Sequence, residues 1–273
     1  MKMSSVLGTI VAGALAVGLS GAANADLLAD IKAKGKIVAA TEMHYAPFDM
    51  LIDGEYQGIS HDLFVEVAKD LGVEVEFLDL PWSSVLPGLE AGKFDFVHAP
   101  VTITAERMKR YSFTLPIGNA TVALLKKAGD ESIMKPEDIA GKAAGSQKGS
   151  AQLEQLKHFG ESLPEAVDVR EYVNIDEAMA DLAAGRIQAV ANSLPLMGYA
   201  AVQRPETFAL VTPPFGDPKY FAWVARPGEE SASLIAAINE ILLKMHEDGR
   251  IDAINEKWLG TAPELPMEMP SVE

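Results

Sequence analysis

"GISHDLFVEVAKDLGVEVEFLDLPWSSVLPGLEAGKFDFVHAPVTITAER", residues 58–107, decides the fold. Its opening, Gly58 to Gly72, places Leu63, Val67 and Leu71 at helical spacing with Asp62, Glu66 and Asp70 on the other side. "VEVEFLDL" then alternates apolar and polar residues as a half-buried strand does. "WSSVLPGLEAGK" reads as a helix with a serine cap at its start and Gly92 at its end. "FDFVHAPVTIT" is the next strand. Upstream, "KIVAATE" (Lys36 to Glu42) is a buried strand that follows a short amphipathic helix. The order is therefore β-α-β-α-β, which implies an α/β fold with a parallel sheet covered on both faces.

A second block of the same kind runs from about Thr121 to Val211. It holds the strand "GKAAGSQ", a helix from Ser150, the strand "DVREYV", the helix "NIDEAMADLAAG" and the strand "RIQAVANS". The Pro and Gly signals in "LPIGN" and "TPPFGDP" bracket it, so the chain is expected to leave lobe one at 117–120 and to return near 216–220. Lobe one is then residues 26–117 plus 221–260, and lobe two residues 118–220 with the hinge strands. "SASLIAAINEILLKMHEDG" and "RIDAINEKWLG" read as two amphipathic helices. The tail, 261–273, is acidic and Pro-rich and is expected to be disordered.

Residues 1–25 have the form of a cleaved signal peptide: Lys2, an apolar run from Val6 to Leu19, and Ala23-Asn24-Ala25 before Asp26. As a helix that run would reach roughly 21 Å, short of the ~30 Å hydrocarbon core. The remaining chain is expected to be soluble and periplasmic. It carries no cysteine, which excludes both disulfides and a lipid-anchored form. A formal net charge of −16 argues against nucleic acid and anionic lipid as partners.

In open parallel sheets, ligands gather beyond the carboxyl ends of the strands. Glu42 and Tyr45 follow the first strand; Pro100 and Thr102 end a later one, with Arg107 close behind. In lobe two, Gln147 and Ser150 follow one strand, and Asn192 and Ser193 end another. These positions all lie where the lobes should face each other. The planar guanidinium of Arg107 suits a carboxylate, and the alternative reading of "VTITAER" is a basic surface turn. "SQKGSA" is either a helix start capped by Ser150 or a small-anion cradle, and it lacks the pattern of a nucleotide loop. Trp82 is either core packing or a pocket wall. His44, His61, His98, His158 and His246 are scattered, with no spacing suited to zinc. No Gly-x-Ser-x-Gly elbow appears. No metal or cofactor is expected.

"APF" (46–48), "GISHDL", "W…LPGLEAGKFD", "TITAERMKRYSFTLP", "QKGS", "DLAAGRIQAV" and "EDGRIDAINEKWLG" occur in an order and spacing that resembles the polar amino-acid-binding family of periplasmic solute-binding proteins. These are the receptors of ABC importers. The likeness implies a two-lobed, type II binding-protein fold, each lobe a mostly parallel sheet flanked by helices, with two hinge crossings that close on a ligand. It implies a monomer that captures an amino acid, a modified amino acid or a small carboxylate and delivers it to an inner-membrane permease. By the same resemblance Arg107 takes the α-carboxylate with Thr102 and Ser150, the Pro100 carbonyl meets the α-amine, and Tyr45 and Trp82 wall the side chain. Glu42 touches the ligand's distal end, and Gln147 is a lobe-two contact.

The chain departs from that pattern at Ser193, where the family places an aspartate for the ligand's ammonium. Ser60 also replaces an aspartate, although Asp62 is kept. A charge-assisted hydrogen bond is worth about 1.5–3 kcal/mol. Glu42 or Glu171 is expected to take over the ammonium, or else the ligand has no free α-amine; the departures favour an unusual ligand. A few members resembling this family are cyclohexadienyl dehydratases, for which Glu42 or Glu171 would be the acid. Binding without chemistry is the expected function.

Overall fold

Two sheets carry the molecule, joined by two neighbouring passages of the chain. The computed structural model describes residues 26–272. The expected signal peptide, residues 1–25, lies outside them. The chain enters through α1 (Leu27–Lys34) and β1 (Lys36–Thr41), then makes a small antiparallel sheet of β2 (His44–Tyr45), β3 (Asp49–Ile52) and β4 (Glu55–Gln57). α2 (Ile59–Leu71), β5 (Glu74–Asp79), α3 (Trp82–Glu90), β6 (Phe96–Thr102) and the short α4 (Ala105–Met108) follow. After β7 (Ser112–Phe113) and β8 (Gly118–Asn119) the chain crosses over.

Lobe two runs β9 (Val122–Lys127), β10 (Ala143–Gln147), α5 (Ala151–Glu161), β11 (Asp168–Tyr172), α6 (Ile175–Ala183), β12 (Ala189–Ser193), α7 (Leu194–Gln203) and β13 (Phe208–Phe215). The return brings β14 (Tyr220–Ala225), α8 (Glu229–Glu247) and α9 (Arg250–Leu259). Lobe one orders its strands β5-β1-β6-β14-β7, with β8 also on β14; lobe two orders them β11-β10-β12-β9-β13. In each sheet the three strands of the βαβ units are parallel, whereas the strands next to the crossings are antiparallel. A strand that returns straight from the other lobe needs no helical crossover and so enters in the opposite sense. The two passages run side by side: Tyr220 pairs with Asn119, and Ala120 N donates to Lys219 O at 2.8 Å.

The helices form where the pattern puts them and are held for identifiable reasons. α2 buries Leu63, Phe64, Val67 and Leu71 and stops at Gly72, whose φ of 76° favours glycine. Its polar side does not face solvent alone. Asp62 accepts from Lys257 Nζ at 2.7 Å and Trp258 Nε1 at 2.9 Å, and Arg250 reaches Glu66 at 3.1 Å and Asp70 at 2.9 Å. These contacts fix α9 on α2.

Two expectations are corrected. α3 has no serine cap: Pro81 precedes its first residue, Trp82, with a φ of −55° set by its ring, and the serines fall inside the first turn. The tail has neither helix nor strand, but it is packed rather than disordered. Leu265 is buried in the main core, and Met269 and Val272 lie on the second apolar cluster of lobe one. Leu265, Met269 and Val272, spaced along an acidic stretch, dock it.

Candidate functional site

The carboxyl ends of β1 and β6 in lobe one face those of β10 and β12 in lobe two. Thr41 ends β1, and Glu42 and Tyr45 follow it. β6 is buried along its whole length and delivers Pro100 and Thr102 to the cleft. The chain then turns into α4, capped by Thr104, whose Oγ1 accepts from Arg107 N at 3.2 Å. That turn sends the Arg107 side chain back over the strand end, where Nη1 donates to Thr102 O at 3.2 Å. The guanidinium lies 5.6 Å from the centre of the Trp82 ring. On lobe two, Ser150 caps α5 by accepting from Leu153 N at 3.0 Å, and Gly149 turns with a φ of 75°.

Side chains meet across the cleft. Tyr45 Oη donates to Asn192 Oδ1 at 2.5 Å, and Gln147 Nε2 to Glu42 Oε2 at 2.7 Å. Gln152 Nε2 donates to Thr102 Oγ1 at 3.1 Å. Trp82 Nε1 and Arg107 Nη2 both donate to the Gly149 carbonyl, each at 3.2 Å. A ligand entering here would exchange its own groups for these contacts.

Eight of the ten residues marked from the sequence line one cavity between the lobes: Arg107, Thr102, Tyr45, Trp82, Glu42, Pro100, Gln147 and Ser150. Asn192 and Ser193 are not on its surface. Both are fully buried behind Tyr45, and Asn192 Nδ2 and Ser193 Oγ have no hydrogen-bond partner. Glu171 is elsewhere, exposed on β11 and paired with Lys157 at 2.8 Å, so it is not available to a ligand in the cavity. That corrects one of the two acids offered above and leaves Glu42. Ser60 also has a different office from the aspartate it replaces: it accepts from Trp223 Nε1 at 2.7 Å and donates to the His98 carbonyl inside lobe one.

The sequence reading missed Thr41, Gln152 and Phe221, which also line the cavity. Thr41 precedes Glu42 at the strand end, and Gln152 lies two residues inside the helix that Ser150 caps, so both were adjacent to recognised signals. Phe221 comes from the returning strand, which nothing local ties to the cleft.

Burial governs the charges. It pushes the Arg107 guanidinium down to about 10, still cationic at neutral pH. It pushes the Glu42 carboxyl up, against the opposing hydrogen bond from Gln147. Burial likewise raises the Tyr45 phenol, which therefore stays a donor. The cavity thus has one cationic and one acidic pole, with Trp82, Tyr45 and Phe221 supplying aromatic wall. Among the described residues no group of three or more His, Cys, Asp and Glu is placed to hold a metal ion.

Residues 37–261 match the model of the bacterial extracellular solute-binding proteins, family 3. The chain belongs to this family. It is similar to the L-cystine-binding protein TcyJ of Escherichia coli K12, with 31% identity over 92% of this chain and 93% of that protein. It is 31% identical to the ABC transporter glutamine-binding protein GlnH of Bacillus subtilis, over 87% and 86% of the two chains. Among solved structures it resembles an ancestral amino-acid-binding protein, AncCDT-1, described as a precursor of cyclohexadienyl dehydratase. That match has a TM-score of 0.77 and 30% identity, and covers 85% of this chain and 99% of that one. This family 3 protein has the two-lobed type II fold and is a solute-binding protein, and the two curated relatives just named are binding proteins. No helix among its described residues is long and apolar enough to cross a membrane.

Proposed function

We propose that this protein is the substrate-binding component of an ABC importer and that it captures a polar amino acid between its lobes. Arg107 takes the α-carboxylate, assisted by the Thr102 and Ser150 hydroxyls. Glu42 and the Pro100 carbonyl face the ammonium or a polar distal end, because the position of Ser193 carries no acid. Tyr45, Trp82 and Phe221 enclose the rest. The observation that carries this reading is the single buried guanidinium facing a cavity whose one acid, Glu42, comes from the same lobe. The relatives named for cystine and glutamine support amino acids as the ligand class.

A micromolar ligand needs about 8 kcal/mol. One charged hydrogen bond supplies about 1.5–3 kcal/mol, so lobe closure around the aromatic wall supplies the remainder. The protein acts in the periplasm as a monomer, released by cleavage before Asp26, and presents its loaded form to a membrane permease. The Asp26 carboxylate caps α1 through Leu28 N and Ala29 N, at 3.1 and 3.3 Å, so a chain cut before Asp26 would keep the cap of this helix.

The test is a thermal-shift screen of the standard L-amino acids, L-cystine and their N-acetyl derivatives, followed by calorimetry on Arg107→Ala. A true ligand raises apparent stability by mass action. The variant is expected to lose binding by about a hundredfold or more while keeping its fold. Near-normal affinity in a folded Arg107→Ala protein would reject this site.

A further inference from the structure

Behind the lobe-one wall of the cavity sits a polar unit that capture through Arg107 and Glu42 does not use. Thr41, which lines the cavity, donates its hydroxyl to Asp49 Oδ2 at 2.7 Å. Asp49 is fully buried, and its other oxygen, Oδ1, has no hydrogen-bond partner. Oδ1 faces His98 Nε2 at 3.6 Å. His98 is also fully buried, packed on Phe64 at 5.3 Å and Phe77 at 4.9 Å, with both ring nitrogens unpaired. Residues of similar volume without polar atoms would fill this space at no desolvation cost. A costly unit against the ligand wall points to a task at that wall.

A threonine hydroxyl has one hydrogen and two lone pairs. With its hydrogen committed to Asp49, only lone pairs remain to turn toward the cavity. Burial pushes His98 down to about 3, so its ring is neutral, and pushes the Asp49 carboxyl well above the usual range. Oδ1 and Nε2 stand 3.6 Å apart without a hydrogen bond, so the bond from Thr41 to Oδ2 is what fixes the direction of the hydroxyl. Asp79, which accepts from Met43 N at 3.0 Å, adds negative potential beside Asp49 and Glu42.

We propose that Asp49 is a positioning residue that makes Thr41 an acceptor for the ligand's ammonium, with His98 packed beside the far oxygen of the carboxyl group. The arrangement takes over part of the task left open by Ser193. It rests on reading the interlobe cavity as an amino-acid site.

The experiment uses calorimetry with the standard L-amino acids and L-cystine as probes, then the tightest binder and its des-amino counterpart. Thr41→Val is expected to weaken the amino acid about tenfold and the des-amino compound by less than about threefold, the loss of one acceptor to a charged donor. Thr41→Ser is expected to restore affinity to within about threefold, since it keeps the hydroxyl. Asp49→Leu removes the acceptor that holds the Thr41 hydroxyl; it should weaken the amino acid to a similar extent in the parent protein and have no further effect in Thr41→Val, a coupling that a purely structural role would not produce. If Asp49→Leu does not fold, the Thr41→Val and Thr41→Ser pair decides alone. Equal losses for the two compounds, or additive effects of the two substitutions, would overturn the assignment. Binding of none of the probes by the parent protein would overturn the amino-acid reading and this assignment together.

Discussion

Glu42 is the residue whose state a ligand should change most. It is buried at the cleft, its carboxyl is pushed up by that burial, and its partner Gln147 is neutral. An ammonium or other cationic group placed beside it would favour the ionised form. Because the pKa is raised before binding and falls on binding, capture should release protons at weakly acidic pH, and affinity should rise with pH across that range. Calorimetry in two buffers of different ionisation enthalpy at pH 5 should detect this release. Glu42→Gln should abolish it and cost about tenfold in affinity at pH 7. The same scale shows why a sequence marks a site better than it assigns roles. Polar residues at strand ends located the cleft, and eight of them do line it. Asn192 carries the same signal, yet its amide oxygen is taken by Tyr45 and by the backbone N–H of Ser193, because a bridge between lobes and a ligand contact require the same residue types at the same place. Glu171 failed for a simpler reason: an acid one residue before a strand end belongs to whichever side of the sheet the pleat gives it.

At the scale of elements, α2 was legible because its apolar spacing is strict and its end is a glycine. α7 was not, since "LPLMGYAAVQ" is apolar on most sides and presents no single face. The hairpin strands β2 to β4, two to four residues each, are too short to show alternation. What periodicity could not show is that the polar side of α2 is a docking face. Burial would raise the Asp62 carboxyl, but hydrogen bonds from His61, Lys257 and Trp258 outweigh it and bring it down to about 2. Since the folded value lies below the unfolded one, the resulting stability is fully present above the unfolded pKa and is lost as pH falls toward 2. Partial exposure and salt screening reduce its worth, so Asp62→Asn should cost about 1–2 kcal/mol at neutral pH. Urea titrations of both proteins at pH 7 and pH 2.5 should show that difference shrink in acid. A gap that stays constant with pH would mean that packing around Trp258, rather than the charge, sets the cost.

At the scale of the whole molecule, the C-terminal run docks in a way that composition disguises. An acidic, Pro-rich run reads as a disordered tail because its mean hydropathy is low and it has no period to reveal a face. Docking depends on individual residues instead. Leu265 enters the main core, and Met269 and Val272 cover the cluster built from α3, β6 and β14. The tail therefore packs on two apolar clusters, and none of its residues lines the cavity between the lobes. Burying one leucine is worth about 1.5–3 kcal/mol relative to leaving it exposed. Ordering the intervening backbone opposes that gain. Removal of residues 261–273 should accordingly destabilise the protein by about 1–2 kcal/mol in urea unfolding, with the same ligand affinity in calorimetry. Leu265→Ala should reproduce most of that loss on its own, as a cavity left in a packed core does. If truncation leaves the unfolding midpoint where it was, the docked tail contributes nothing to the folded state; if it also weakens ligand capture, the tail acts on lobe closure and not only on lobe one.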